Sequence, residues 1–337
     1  METRKVQFTG GSSYVITLPI EWIRSMNITK NSPLSIKFQP DGSLLILPQT
    51  TEESRVKELE LNTDDIQDPT FLFRCLVGSY IAGHTAVRIT SSGRLTPSTR
   101  KAARDFTLMT VGQQIVDETD SSILIKDLLN PGEMPFDNSL KRMYVIIKTM
   151  YQDVLTAVKT KDTLLAQDII IRDNEIDKLQ WLISRQFHLL LHDPSLAEKM
   201  HVTLGQALNF LVVSRILERV GDHGVRIAQH LQNIIDRDIE SSIITDITSS
   251  TELAMHILDS SMQALFSGDL VKANDTIQMV EKLEVLSDSI TSVALQKKGT
   301  LALSLGYIAE SIRRAGEYAA DISETIINQL IEEKNGV

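Results

Sequence analysis

Two pairs of carboxylates, Glu218/Asp222 and Glu317/Asp321, recur in one register. In each, the Glu stands three residues after an arginine (Arg215, Arg314) and four before its Asp, and a shift of 99 residues carries one pair onto the other. Carboxylates four apart share one face of a helix, one above the other. The bland reading is a solvated helix face, since Arg215–Glu218, Arg219–Asp222 and Asp222–Arg226 have the spacing of surface ion pairs worth about 0.2–0.5 kcal/mol each. The alternative is a cation site. It gains weight because the pair is duplicated and because a further carboxylate, Asp177 or Glu284, occurs at matching upstream positions of the two copies. Hard oxygen donors of this kind suit Mg, Mn, Ca or Fe rather than a thiol-seeking metal.

Other chemistry is thinly represented. His223, beside Asp222, reads as a surface or packing residue, because the second copy has Ile322 there. A di-iron carboxylate bundle needs two Glu-x-x-His motifs, and only Glu198/His201 has that spacing. Gly10-Gly11-Ser12-Ser13 reads as a turn, with no full helix following it to cradle a phosphate. No nucleophile–base pair stands out. The expectation is a protein that is not an enzyme.

Long helices must position these carboxylates. Val213, Ile216, Val220, Ile227 and Leu231 answer to Ile312, Ala315, Ala319, Ile326 and Leu330 at the same shift. Spacings of three, four and seven mark one buried face, and at ~100° per residue the Glu and Asp fall nearly opposite it. Upstream the shift becomes 107: Ala157 and Asp162 match Ala264 and Asp269, and Ile176, Leu179 and Ile183 match Leu283, Leu286 and Ile290. Such a copy predicts three helices per repeat, near 140–161, 163–191 and 200–237, then 248–267, 269–296 and 300–333. The expected fold class is mixed but mainly α. Tandem three-helix bundles over 140–237 and 248–333 follow a small α/β domain (50–130) and a small β-rich head (1–49).

The 337 residues are 42% hydrophobic with net charge −10, yet the first fifty carry about +2. The acidic body argues against broad nucleic-acid binding there and sets the head apart. Cys75, the single cysteine, suits a reducing compartment, and no apolar run approaches the ~18 residues of a membrane span. A cytoplasmic protein, not integral to a membrane, is expected.

In the head, Arg4–Phe8 and Tyr14–Leu18 read as strands, and Pro19–Met26 as a short helix with Pro at its start. Leu34–Phe38 and Ser43–Leu47 flank Pro40-Asp41-Gly42 as a hairpin. Fifty residues bury little alone, so pairing is expected. Residues 49–69 read as an acidic connector. Beyond them come a helix over 70–83, a strand Ala86–Thr90, a helix Pro97–Leu108, strands Val111–Glu118 and Ile123–Ile125, and a linker Leu128–Ser139.

Arg4 to Pro48, with Leu18-Pro19, Trp22, Ile23 and Met26-Asn27-Ile28, resembles the swapped-hairpin module of the AbrB/SpoVT transcription-factor family. Asn31-Ser32 stands where that family has Gly-Asp, and Asn tolerates the left-handed backbone Gly would supply. The resemblance implies a homodimer gripping double-stranded DNA through basic residues, here Arg4, Lys5, Arg24, Lys30 and Lys37. Residues 140–333 resemble the PhoU family of phosphate-signalling regulators, on Asp162…Asp173-x-x-Ile176-Asp177-x-Leu179 and Arg215-x-x-Glu218-x-x-x-Asp222-His223. Arg314, Glu317 and Asp321 are kept in the second copy, with Glu284 for Asp177 and Val280 for Asp173.

That resemblance implies divalent or trivalent metal ions (Fe, Mn, Mg or similar) held by Asp173, Asp177, Glu218, Asp222, Glu284, Glu317 and Asp321. It also implies negative regulation of phosphate uptake, with a phosphate ABC transporter or its sensor as a further partner. A head of the first kind on a body of the second is similar to a group of prokaryotic, chiefly archaeal, phosphate-uptake regulators. The expectation is a dimeric, DNA-binding regulator with a metal-binding body. Its rivals are a transporter-docking regulator whose head only dimerises, and a metal-dependent enzyme.

Overall fold

Three kinds of hydrophobic patterning in one chain give three kinds of architecture. The computed structural model describes residues 2–11, 13–38, 42–48, 57–237 and 239–334. They fall into two units, divided between Val56 and Lys57.

The first unit contains β1 (Gln7–Thr9), β2 (Ser13–Val15), α1 (Ile20–Ser25), β3 (Leu34–Phe38) and β4 (Leu44–Pro48). β1 pairs with β2 and β3 with β4, each antiparallel, as two separate two-stranded sheets. Asn27 and Asn31 take left-handed φ of 52° and 69°, as Asn can and a branched residue cannot. Pro40 and Asp41 of the expected hairpin turn, and residues 49–56 of the expected connector, lie outside the described residues.

The second unit opens with a strand the sequence reading assigned to the connector, β5 (Glu58–Asn62). It runs parallel to β6 (Ala86–Thr90), which pairs antiparallel with β8 (Ser122–Asp127), itself paired with β7 (Gln113–Glu118). The sheet order is β5-β6-β8-β7. The helices α2 (Pro69–Ile81) and α3 (Pro97–Leu108) start where Asp68 and Thr96 accept N-cap hydrogen bonds, satisfying an otherwise orphaned amide. Leu72, Leu76, Ile89, Phe106, Ile123 and Ile125 form the core of this domain.

The helical body follows: α4 (Phe136–Thr160), α5 (Thr163–His192), the short α6 (Pro194–Lys199), α7 (Leu204–Gln232), α8 (Ser241–Ser267), α9 (Leu270–Gln278), α10 (Val280–Ala294) and α11 (Gly299–Lys334). The caps are local. Asp162 accepts from the amides of Leu164 and Leu165 at 3.0 Å, Asp269 does the same for Lys272, and Thr203 with Gln206 makes a capping box for α7.

Two boundaries differ from expectation. α4 begins inside the expected linker because Phe136 is buried and anchors its first turn. The middle helix of the second copy is broken at Met279 between α9 and α10, whereas α5 is unbroken. The two copies also do not keep separate interiors. α7 and α11 pack against each other, and buried residues from both repeats form one continuous core.

The α/β domain docks on α5. Phe73 meets Trp181 edge-on at 6.3 Å. Arg185, only 3% exposed, pairs with Asp127 at 2.6 Å, donates to the Tyr80 carbonyl and lies 4.8 Å over the Tyr80 ring.

Candidate functional site

In the first bundle, α5 presents Asp173 and Asp177 one turn apart, and α7 presents Glu218 and Asp222. Gly221 lets the two helices meet closely: a Cβ there would stand 2.7 Å from Ile176 Cδ1 and 3.1 Å from Asp173 Oδ1. Gly224 does the same towards α4, where a Cβ would lie 3.0 Å from the Tyr151 ring. Tyr151 is fully buried, and its hydroxyl donates to the Val220 carbonyl at 2.9 Å. Two glycines one turn apart thus draw α7 into the cleft between α4 and α5.

Glu218 and Asp222 both lie off the buried face of α7, though to different depths. Glu218 is half-buried, and Asp222 sits at the solvent rim. Both nevertheless interact electrostatically with Asp177 on α5.

The electrostatics follow from that crowding. Burial, then Asp177, Asp222 and Glu218, push Asp173 up to about 7. Burial and Asp222 push Asp177 up to about 6. Glu218 is raised by burial, Asp222 and Asp177 against the pull of Arg215 and Arg219. Asp222 is raised by partial burial, with Arg226 opposing. The Tyr151 phenol is also pushed up, by burial and then by Asp173 and Asp222. Four acids on two helices destabilise one another's charged forms.

Asp173 Oδ1 is buried with no hydrogen-bond partner, an expensive state unless something else satisfies it. A hard cation would satisfy it and relieve the repulsion together. As they stand, no three His, Cys, Asp or Glu side chains among the described residues form a closed ligand set. The donors therefore fit a cation in chemistry and charge, and would draw inwards to hold one.

The second bundle is arranged differently. Glu284 is exposed on α10. Glu317 is ion-paired with Arg313 and Arg314. Asp321 is exposed, its carboxyl raised by partial burial, Glu324 and Glu317 and lowered by Arg219.

Between the bundles His223, 8% exposed, packs against Tyr318 at 5.6 Å with the rings tilted by 36°, and His230 stacks on Tyr307 at 4.4 Å. Arg219 lies 5.5 Å over the Tyr318 ring. Burial lowers His223 to about 4, with Arg226 and Arg314 adding to the fall and Glu310 opposing it, so the ring is a neutral packing group. Sequence reasoning set His223 aside as a ligand but missed this seam. The signal was the apolar Ile322 at the matching position, which is fully buried.

In the head, Arg4, Lys5, Arg24 and Lys30 are exposed, and the Lys37 side chain lies outside the described residues. Arg4 pairs with Glu2 and donates to Thr17 Oγ1 at 3.3 Å. No described side chain before Leu72 is buried. Phe8, Tyr14, Ile36 and Phe38 are 60%, 74%, 62% and 83% exposed. No described helix is long and apolar enough to cross a membrane.

Residues 140–231 match the PhoU domain, and residues 7–54 match a domain described as antidote-toxin recognition MazE, bacterial antitoxin. The chain thus joins a PhoU domain to an N-terminal MazE/AbrB-like domain, two domain types that are non-enzymatic. Its relatives are PhoU homologues. The phosphate-specific transport system accessory protein PhoU homolog of Caulobacter vibrioides is 26% identical over 199 residues, 57% of this chain and 85% of that one. PhoU homolog 1 of Thermotoga maritima is 18% identical over 198 residues, 56% and 83% of the two chains.

Two crystal structures share the helical fold. The phosphate transport system regulatory protein PhoU of Streptococcus pneumoniae superposes with a TM-score of 0.51 at 20% identity, covering 57% of this chain and 91% of that one. PhoU of Pseudomonas aeruginosa superposes with a TM-score of 0.52 at 16% identity, covering 59% and 96%.

Proposed function

We propose that the chain is a cytoplasmic, non-enzymatic regulator of phosphate uptake. Its head binds double-stranded DNA as a homodimer, and its PhoU-like body binds metal and senses or docks. The observation that carries the proposal is the exposed apolar surface of the head. A β-rich module that buries none of its described side chains, yet displays Phe8, Tyr14, Ile36 and Phe38, lacks a core of its own. A second copy interleaving its hairpins would supply one.

Pairing would double the basic groups Arg4, Lys5, Arg24, Lys30 and Lys37 on one assembly. In the acidic context of the body, DNA affinity would rest on close phosphate contacts.

In the body, Asp173, Asp177, Glu218 and Asp222 would hold a hard cation. The unpartnered Asp173 oxygen and the mutual repulsion of the four acids support this assignment. The bound charge would offset that repulsion and tie α5 to α7. The names of the relatives, accessory proteins of phosphate-specific transport systems, support phosphate uptake as the process regulated. They equally favour a second reading in which the body docks on a phosphate transporter or its sensor and the head only dimerises.

Mapping the chain's binding sites across its genome, in phosphate-rich and phosphate-poor cells, separates the two. Sites near phosphate-transport genes, lost on Lys5→Ala/Arg24→Ala, are expected. Purified chain without salt-sensitive DNA binding under any phosphate condition would transfer the assignment to the docking reading.

A further inference from the structure

We propose that the second bundle holds an internal cation, the paired guanidinium groups of Arg313 and Arg314, where the first bundle has room for a metal, so that metal binding is confined to the first bundle. The inference rests on the metal reading of Asp173, Asp177, Glu218 and Asp222 and adds to it an asymmetry between the copies.

Three differences between matched positions carry it. On the last helix, the shift of 99 residues places Glu310 against Leu211 and Arg313 against Ser214, so the second copy has gained an acid and a base on the turns just before Glu317. On the middle helix, the shift of 107 places Val280 against Asp173, so the second copy lacks the acid whose buried oxygen has no partner in the first. The helix also breaks there, at Met279, and Glu284, the match of Asp177, is exposed on the far side of the break.

The gained residues form a closed network. Arg313 donates from Nη2 to both carboxylate oxygens of Glu310, at 2.9 and 2.7 Å, and from Nη1 to Glu317 Oε1. Arg314 donates from Nε to Glu310 Oε1 and from Nη1 to Glu317 Oε2, each at 3.0 Å. Both oxygens of Glu317 are therefore taken by guanidinium groups. Two arginines against two glutamates leave the network neutral without a metal. The first copy has no counterpart of this arrangement, because Leu211 and Ser214 cannot make it.

A carboxylate engaged by two guanidinium groups is a poor cation ligand. A metal would have to displace both and approach two positive charges at close range. Val280 offers no oxygen to repay that cost. The first bundle has the reverse balance, an excess of carboxylates and an unsatisfied buried oxygen.

Metal content of the full chain, loaded with Mn(II) and freed of excess, tests the inference. Glu218→Gln/Asp222→Asn is expected to remove nearly all bound metal. Glu317→Gln/Asp321→Asn is expected to leave the amount unchanged, with circular dichroism confirming that both variants remain helical. A fall to about half in the second variant would overturn the inference while leaving the metal reading of the first bundle intact. A native chain that takes up no metal would overturn that reading and the inference with it. Arg313→Ser/Val280→Asp supplies an independent check, because it rebuilds the first copy's pattern in the second. It is expected to raise metal content above the native level, and unchanged content in this folded variant would count against a guanidinium stand-in.

Discussion

Asp173 on α5 reaches the backbone of Gly221 on α7 so closely that a Cβ at Gly221 would come within 3.1 Å of its Oδ1. Glycine is what allows an acid from one helix to reach a pair of acids on another, and the electrostatic character of the site follows from that contact.

The first prediction concerns pH. Asp173 moves from an ordinary 3.8 to about 7, and Asp177 from 3.8 to about 6. The folded state therefore binds these protons more tightly than the unfolded chain does. The penalty is absent below about pH 4, grows as pH rises and is complete above about pH 7. His223 acts in the opposite sense, costing stability as pH falls from 6.5 towards about 4, so the comparison must be with Asp173→Asn. Metal-free native protein should lose melting temperature relative to that variant between pH 4 and 7. Saturating Mn(II) should close the gap at pH 7 for the native chain alone.

The second concerns the docking of the α/β domain. Arg185 and Asp127, 3% and 7% exposed, form a buried ion pair. Asp127→Asn leaves the guanidinium uncompensated and should cost about 3–5 kcal/mol. Arg185→Met/Asp127→Leu should cost less, because neither charge remains to be paid for in desolvation. Urea unfolding measures both, and Trp181 emission, at the same interface, reports whether the domain has lifted.

The third concerns the last helices of the two copies. Ala319 and Val220 occupy matched positions and are both fully buried. Ala319→Leu adds three carbons to a filled seam and should cost about 1–3 kcal/mol. Val220→Leu adds one and should cost less. Equal shifts in melting temperature would show that the two faces have been wrongly equated.

The fourth concerns the head. In a monomer, Ile36 and Phe38, at 62% and 83% exposed, could be replaced at little cost. Ile36→Asp/Phe38→Asp should instead abolish DNA binding, and should red-shift the emission of Trp22, which is half-buried within one copy. Unchanged DNA affinity in this variant would exclude the pairing proposed for the head.

Much of the architecture is legible in the residues, and the exceptions have physical causes. The long helices declare themselves through apolar spacing that recurs in register in both copies. β5 hides because Glu58, Glu60 and Asn62 face solvent and leave only Leu59 and Leu61 to mark an edge strand. The break at Met279 hides because Ala273, Leu283 and Ile290 stay buried on both sides of it, so the apolar period runs on. The carboxylates were found by their repetition, but their crowding depends on Gly221 and Gly224, whose role appears only when the helices cross. The α7–α11 seam escaped because each helix was assigned a stripe facing its own bundle, whereas α7 and α11 also pack against each other, with His223 against Tyr318 and His230 against Tyr307.

That seam makes one interior of two repeats. Helical repeats that touch only neighbours can lose an end and keep the rest. Here a chain cut after the first repeat would bare the whole inner flank of α7, and one lacking the first repeat would do the same to α11. Calorimetry of the helical body should accordingly record a single heat-absorption peak, with no plateau at which one ancestral half has melted and the other persists.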